Sequence, residues 1–166
     1  LSNPEERISF AVITLSDRCS KGLRTDESGN IIKKFLEERG LRCLYYEIIP
    51  DDRETLRQML LRFSKEVDII ITNGGTGLSP RDITPDVTLE VIDREIPGIA
   101  EAIRYEGLKK TPRAMLSRAV AGVKDSCLIV NLPGSPKAVL EGLQVISKVL
   151  PHAVEKIKGS EEECAI

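Results

Sequence analysis

Two kinds of hydrophobic pattern alternate along this chain. Ser9 to Leu15 (SFAVITL) is a continuous, branched apolar run between polar residues, the pattern of a strand covered on both faces. From Asp26 to Arg39 the apolar residues Ile32, Phe35 and Leu36 fall at helical spacing, and Gly40 stands where a helix ends. Leu41 to Ile49 reads as a second strand closed by Pro50. Arg53 to Lys65 is a second amphipathic helix carrying Leu56, Leu60 and Phe63 on one face. Val67 to Thr72 is a third buried strand and runs straight into Asn73-Gly74-Gly75-Thr76-Gly77.

The second half continues the alternation. Thr84-Pro85-Asp86 predicts a helix start, with Thr84 as N-cap and Pro85 in the first helical position, continuing to about Arg94. After Pro97-Gly98 a further helix covers Ile99 to Leu108, and Pro112 with Met115-Leu116 makes a short helical turn. Ala119 to Val123 and Ser126 to Asn131 are two short strands joined at Lys124-Asp125, in hairpin fashion. Pro136 opens a long helix with Val139, Leu143, Ile146, Leu150 and Ile157 on its buried side, which Pro151 bends or splits. Such alternation builds an α/β domain with a mostly parallel sheet and helices on both faces. The expected organisation is an N-terminal extension over 1–7, one domain over 8–158 and a polar, frayed tail over 159–166.

Composition narrows the partners. At 166 residues, 41% hydrophobic and 30% charged, the chain has the size and make-up of one globular domain. Lys and Arg number 24 against 26 Asp and Glu, a net charge of -2, so there is no broad positive field for a nucleic-acid backbone. No apolar run is long enough to cross a bilayer, and LSNPEERISF lacks the apolar core of a secretion signal. Leu1 in first place is expected where initiating residues lie outside the sequence. Cys19, Cys43, Cys127 and Cys164 are scattered without metal-ligand spacing, which fits a reduced, cytoplasmic protein with Cys43 and Cys127 as buried thiols. His152, the one histidine, lies in a late helix away from every glycine-rich loop and reads as structural.

In sheets of this kind ligands bind beyond the carboxyl ends of the strands, so the loops after Leu15, Thr72 and Asn131 matter most. Asn73 to Asp86 (NGGTGLSPRDITPD) places Gly74, Gly75 and Gly77 around Thr76, a run that exposes backbone N–H groups before a helix start. It reads as a phosphate cradle or as a tight turn, and it matches neither a Walker loop nor a dinucleotide fingerprint. Asp82 beside bound phosphates would repel them unless a divalent cation lay between; its other reading is a cap for the turn before Thr84. Ser16 to Gly29 is rich in Ser, Thr and Asp and, at about a dozen residues, is long for a plain connection. Asn131 to Pro136 (NLPGSP) is a stiff wall suited to a flat base or pterin, or a stiff turn. Asp51 and Asp52, taken alone, form an exposed acidic turn. With the one histidine, His152, away from every glycine-rich loop, no Ser-His-Asp or Cys-His set is expected there. Nucleotidyl transfer to a phosphate needs neither, because the attacking oxygen is already anionic.

Together, TLSDRCSKG with DESG, then IPDD, GGTGLSPRDITPD, AMLSRAVAG and NLPGSPKAV resemble, in order, the molybdenum-cofactor biosynthesis proteins of the MogA/MoaB type. The same domain occurs in plant molybdopterin adenylyltransferases and as the G domain of gephyrin, and the resemblance spans Ile8 to Lys158. It implies a three-layer α/β/α sandwich, usually a homotrimer, that adenylylates molybdopterin with ATP and Mg2+ and releases pyrophosphate. The molybdenum insertase would be a further partner. The family's two key acids match Asp51 and Asp82, which would hold the metal and orient phosphates. Gly74, Gly75, Thr76 and Gly77 would cradle the nucleotide phosphates. Ser16, Asp17, Ser117, Arg118, Pro133, Gly134, Ser135 and Pro136 would form the remaining pocket walls, although Ser117 and Arg118 also suit fixing a turn. A trimeric module that binds molybdopterin without turning it over is the alternative.

Overall fold

The structure, a computed structural model, describes residues 7–161. The expected extension and tail fall largely outside the described residues, as does Cys164. Among those described, a six-stranded sheet has the order β2-β1-β3-β6-β5-β4. Here β1 is Ser9–Leu15, β2 Arg42–Ile49, β3 Ile69–Asn73, β4 Arg94–Glu95, β5 Ala121–Lys124 and β6 Cys127–Leu132. The first four strands in that order are parallel; β5 and β4 are antiparallel additions at one edge.

Alternation within the central strands divides the apolar side chains between two cores. Phe10, Val12, Ile69, Ile71, Leu128 and Val130 face one side. There they meet helices α2 (Glu27–Glu37), α5 (Pro97–Leu108), α6 (Pro136–Ile146) and α7 (Leu150–Ile157). Ala11, Ile13, Ile70 and Ile129 face the other side and meet α3 (Arg53–Phe63) and α4 (Thr84–Val91). Burial on both faces is why these strands read as unbroken apolar runs. The sandwich is the three-layer one expected. No helix among the described residues is long and apolar enough to cross a membrane.

Several local expectations need correction. The first loop contains a short helix, α1 (Asp17–Ser20), started by the Ser16 hydroxyl accepting from Cys19 N at 3.1 Å. The helix expected from Asp26 begins one residue later, because the Asp26 carboxylate is itself the N-cap of α2. Thr84 is not an N-cap: Ile83 holds that position, and the Thr84 hydroxyl donates instead to the Gly74 carbonyl at 2.9 Å. The helix expected to reach Arg94 stops at Val91, because Asp93 N donates to Val123 O at 2.7 Å and draws Arg94–Glu95 into the sheet as an edge strand. The long C-terminal helix is split between Ile146 and Leu150, with Pro151 in the first turn of the second piece. Cys43 is only half buried, since β2 is an edge strand, while Cys127 is fully buried and its thiol pKa is pushed up to about 12.

Register at the carboxyl ends of the strands sets polar partners side by side. Thr14 lies opposite Asn73, and Thr72 opposite Asn131. Asn73 Nδ2 donates to Thr14 Oγ1 at 2.8 Å; Asn131 Nδ2 donates to Thr72 Oγ1 and to Thr88 Oγ1, each at 3.0 Å. All of these residues are buried, where an unpaired polar group would be costly. The network thus locks the strand ends to α4. Thr84→Val keeps the shape of the side chain but leaves the Gly74 carbonyl without its donor. It is expected to cost about 1–3 kcal/mol in urea unfolding, with Thr84→Ser recovering most of the loss. A Thr84→Val variant as stable as the parent would contradict the role given to this bond.

Candidate active site

The sheet order makes a switch point of β1 and β3: the chain leaves β1 for β2 on one side, then returns to β3 on the other. Crevices at such points receive ligands in open α/β sheets. The glycine loop fills this position. Gly74 and Gly75 have φ of +89° and +68°, a region that side chains rarely adopt. A Cβ at Gly74 would also collide with the Leu15 carbonyl, and one at Gly75 with the Thr84 hydroxyl. Two glycines are therefore required here on both counts.

The acids meet this loop from behind. A Cβ at Gly75 would stand 3.2 Å from Asp51 Oδ1, and one at Gly77 would stand 2.9 Å from Asp82 Oδ2. Asp82 Oδ2 accepts from Ser79 N at 3.0 Å, so the carboxylate closes its own turn and retains a second oxygen. Asp51 Oδ1 is buried with no hydrogen-bond partner. Burial, then the negative charge of Asp17, holds the Asp51 carboxyl above its ordinary range. Asp17 is held below that range by Arg81, whose Nε and Nη2 donate to its two oxygens at 2.8 and 3.0 Å. Asp17 also accepts from Asp51 N at 3.0 Å and so braces that residue. Asp52, next along, caps α3.

Arg118 fixes the far end of the loop. Its backbone N donates to Thr76 O, its Nε to Gly77 O (2.8 Å) and its Nη2 to Asp82 O (2.7 Å), while Nη1 pairs with Asp86 at 3.0 Å. Every guanidinium nitrogen is engaged, so Arg118 holds the loop and Asp82 in place.

Two cavities open on either side of residues 133–136. The first, about 370 Å³, lies at the switch point and is lined by Thr14, Ser16, Asp26, Ser28, Asn73, Gly74, Gly134, Ser135 and Pro136 among others. The second, about 360 Å³, is lined by Thr76, Gly77, Ser117, Pro133 and Ser135 with the side chains of α5 and α6. The dividing wall is rigid: Ser28 Oγ donates to Gly134 O at 2.7 Å, and a Cβ at Gly134 would lie 3.3 Å from Gly74 Cα. The acids touch the loop at Gly75 and Gly77, between or beside the stretches that face the two cavities.

A family profile described as a probable molybdopterin binding domain matches residues 11–152. The chain belongs to this family. It is 40% identical over 159 residues to the molybdopterin adenylyltransferase of Helicobacter pylori strain 26695, covering 93% of this chain and 90% of that one. Among solved structures, the molybdopterin biosynthesis enzyme MoaB of Thermus thermophilus superposes with a TM-score of 0.86 at 43% identity, covering 92% and 98% of the two chains. The molybdopterin biosynthesis Mog protein of Mycobacterium ulcerans does so with 0.85 at 45%, covering 90% and 99%.

In this molybdopterin-binding-domain chain, the residues singled out from sequence converge on one region, in differing roles. Ser16, Gly74, Gly134, Ser135 and Pro136 line the first cavity; Thr76, Gly77, Ser117, Pro133 and again Ser135 line the second. Gly75 faces Asp51 and Thr84, while Asp17 and Arg118 are committed to protein partners. Sequence reasoning passed over Asp26 as a site residue. It is buried, caps α2 by accepting from Gly29 N at 2.9 Å, and accepts from the Tyr46 hydroxyl. Burial and that bond raise the pKa of Tyr46 above the ordinary phenol range. Its signal was an Asp directly after Thr25 and ahead of an amphipathic helix, in a loop with several polar residues. Arg104 and Glu141 in the second cavity had no signal, since a charged residue on an amphipathic helix normally faces water.

The raised pKa of Asp51 carries a stability consequence. The folded chain binds this proton more tightly than the unfolded one, so the contribution favours folding below the ordinary value of 3.8 and is lost as pH rises through the raised value. At neutral pH the ionised, half-buried carboxylate opposes folding. Asp51→Asn is expected to raise Tm at pH 7, with the gain shrinking as pH falls through the acid range; a lower Tm at pH 7 would contradict this.

Proposed function

We propose that this protein transfers AMP from ATP to the terminal phosphate of molybdopterin, releasing pyrophosphate, as a step of molybdenum-cofactor biosynthesis in the cytoplasm. The observation that carries the proposal is the placing of Asp51 and Asp82 against one glycine loop whose two ends face two separate cavities. A transferase needs such a junction, because its two substrates must meet at one phosphorus atom. The first cavity, ringed by hydroxyl, amide and carboxylate groups at the switch point, suits the nucleotide. The second, walled by Ile103, Leu116, Pro133 and Ala138, suits a flat pterin. Its relatives named molybdopterin adenylyltransferase support the same reading.

In the reaction, an oxygen of the pterin's phosphate forms a bond to the α-phosphorus of ATP while the bond to the β-phosphate breaks. The attacking oxygen carries its own charge, so no side chain need remove a proton. The chain's work is to hold two anionic groups together and orient them. The glycine loop receives the phosphates, Arg118 keeps that loop and Asp82 in register, and Asp17 with Arg81 braces Asp51.

The residues fit a magnesium ion. Asp51 has a buried oxygen with no donor, and Asp82 has one oxygen outside its turn. Among the described residues no cluster of three or more His, Cys, Asp or Glu could hold a metal alone, which suits an ion that takes one or two carboxylates and completes its shell with phosphates and water. When bound, magnesium supplies the positive charge that offsets repulsion between these acids and the phosphates.

We assign the protein a homotrimeric state and the molybdenum insertase as the consumer of its product. The alternative, a trimeric module that only binds molybdopterin, is disfavoured because both acids are present and braced. Asp82→Asn is expected to keep the fold and the metal-free affinity for nucleotide while slowing turnover ~100-fold or more. Unchanged turnover would remove the metal role. Light scattering at micromolar protein should give three times the monomer mass, and a clean monomer would count against the assembly.

A further inference from the structure

Three polar groups at the wall of the first cavity are joined by a side chain that stands behind it. Tyr46, half buried on the edge strand β2, donates its hydroxyl proton to Asp26 Oδ2. The other carboxylate oxygen, Oδ1, accepts from Gly29 N at 2.9 Å and caps α2. Tyr46 is also hydrogen-bonded to the Thr14 hydroxyl, which in turn accepts from Asn73 Nδ2 at 2.8 Å. A carboxylate only accepts and each hydroxyl has one proton, so donation runs one way: Asn73 to Thr14, to Tyr46, to Asp26. Thr14, Asp26 and Asn73 line the first cavity, and Tyr46 does not.

The first turn of α2 is built around this chain of bonds. A Cβ at Gly29 would collide with Asp26 Oδ2, the Tyr46 hydroxyl and the Thr14 hydroxyl at once. The backbone there does not have a positive φ, so it is this meeting of three oxygens that calls for glycine, a poor helix former. Asp26 is buried, and the donors directed at its carboxylate are Gly29 N and the phenol, bonds that its charge strengthens. Thr25 to Ser28 line the first cavity and not the second. The same turn carries Ser28, whose bond to Gly134 O at 2.7 Å passes its position on to the wall beside Gly74.

We propose that Tyr46 is a positioning residue for the nucleotide: its hydroxyl holds the first turn of α2 against the ends of β1 and β3, and so fixes the shape of the first cavity. The proposal rests on the reading of that cavity as the nucleotide half of the site. Tyr46 acts through Asp26 and Thr14 and not by contact with the nucleotide. Burial and the bond to Asp26 hold the phenol pKa above its ordinary range, so the proton stays on Tyr46 and stays directed at the carboxylate. Without that oxygen, Asp26 loses a donor and the turn loses its tie to both strands. The cavity then keeps its lining but not its shape, and the loss appears in ATP binding.

ATP affinity without magnesium or molybdopterin, molybdopterin affinity without ATP under anaerobic conditions, KM for ATP, kcat and Tm are measured for four proteins: the parent, Tyr46→Phe, Asp26→Asn and the double variant. Tyr46→Phe removes one oxygen and keeps the ring. It is expected to weaken ATP and raise its KM about tenfold, the worth of one charged hydrogen bond, with kcat and molybdopterin affinity within about threefold of the parent. Asp26→Asn can still cap α2, but its one carbonyl oxygen cannot serve both Gly29 N and Tyr46, so the same selective loss of ATP is expected. Because both substitutions break one chain of bonds, the double variant should bind ATP no worse than the poorer single one. Losses that simply add overturn the proposal, as does an equal fall in ATP and molybdopterin affinity. A Tyr46→Phe protein with a lower Tm and the parent's ATP affinity reduces the bond to a structural one and also overturns it. Should Tyr46→Phe fail to fold, parental ATP affinity in Asp26→Asn is the overturning result. A parent protein that binds molybdopterin but no ATP overturns the functional reading and this proposal with it.

Discussion

A hydroxyl from the first turn of α4 reaches back to the carbonyl of Gly74, and the layout of the site follows from that bond. The bond holds two consecutive left-handed glycines over the crevice between β1 and β3, with no room at either for a Cβ. Thr84 is in turn placed by its own helix, which the buried Thr88–Asn131–Thr72 chain ties to the ends of β3 and β6. The ends of the strands, the loop and the helix therefore form one unit. The loop's carbonyls are all satisfied, by Thr84 at Gly74 and Gly75 and by Arg118 at Thr76 and Gly77.

Charge is arranged around this unit in an uneven way. Arg118 and Arg81 do not neutralise the two central acids: Arg118 pairs with Asp86 and with loop carbonyls, and Arg81 pairs with Asp17. Asp51 stays half buried, short of a donor and reluctant to ionise. A folded chain keeps such a group against its own stability where function requires it. Glu141 Oε1, on α6, also lacks a hydrogen-bond donor, though Lys110 is ion-paired with it.

The sequence made the layers legible because burial on both faces writes unbroken apolar runs into β1, β3 and β6, and helical spacing into α2, α3 and α6. The loop positions were legible too, since glycine runs and proline-stiffened turns follow directly from strand ends. Tertiary bonds hid the rest. Thr84 carries every local mark of an N-cap, yet its hydroxyl serves Gly74 across ten residues. Arg94–Glu95 is too short for a period-two pattern and becomes a strand only through β5. Arg118 gives no local sign that its guanidinium spans Gly77, Asp82 and Asp86. Long-range polar contacts of this kind depend on which elements lie side by side, and hydrophobic spacing does not encode them.

The central claim is that the glycine loop brings a nucleotide and a pterin phosphate to the same pair of acids. Its most direct test is to incubate the protein with ATP, magnesium and molybdopterin, and to measure adenylylated pterin and pyrophosphate together. The account predicts equal amounts of both, formed only when all three are present. Molybdopterin held tightly with neither product appearing would contradict it and leave a binding module in its place.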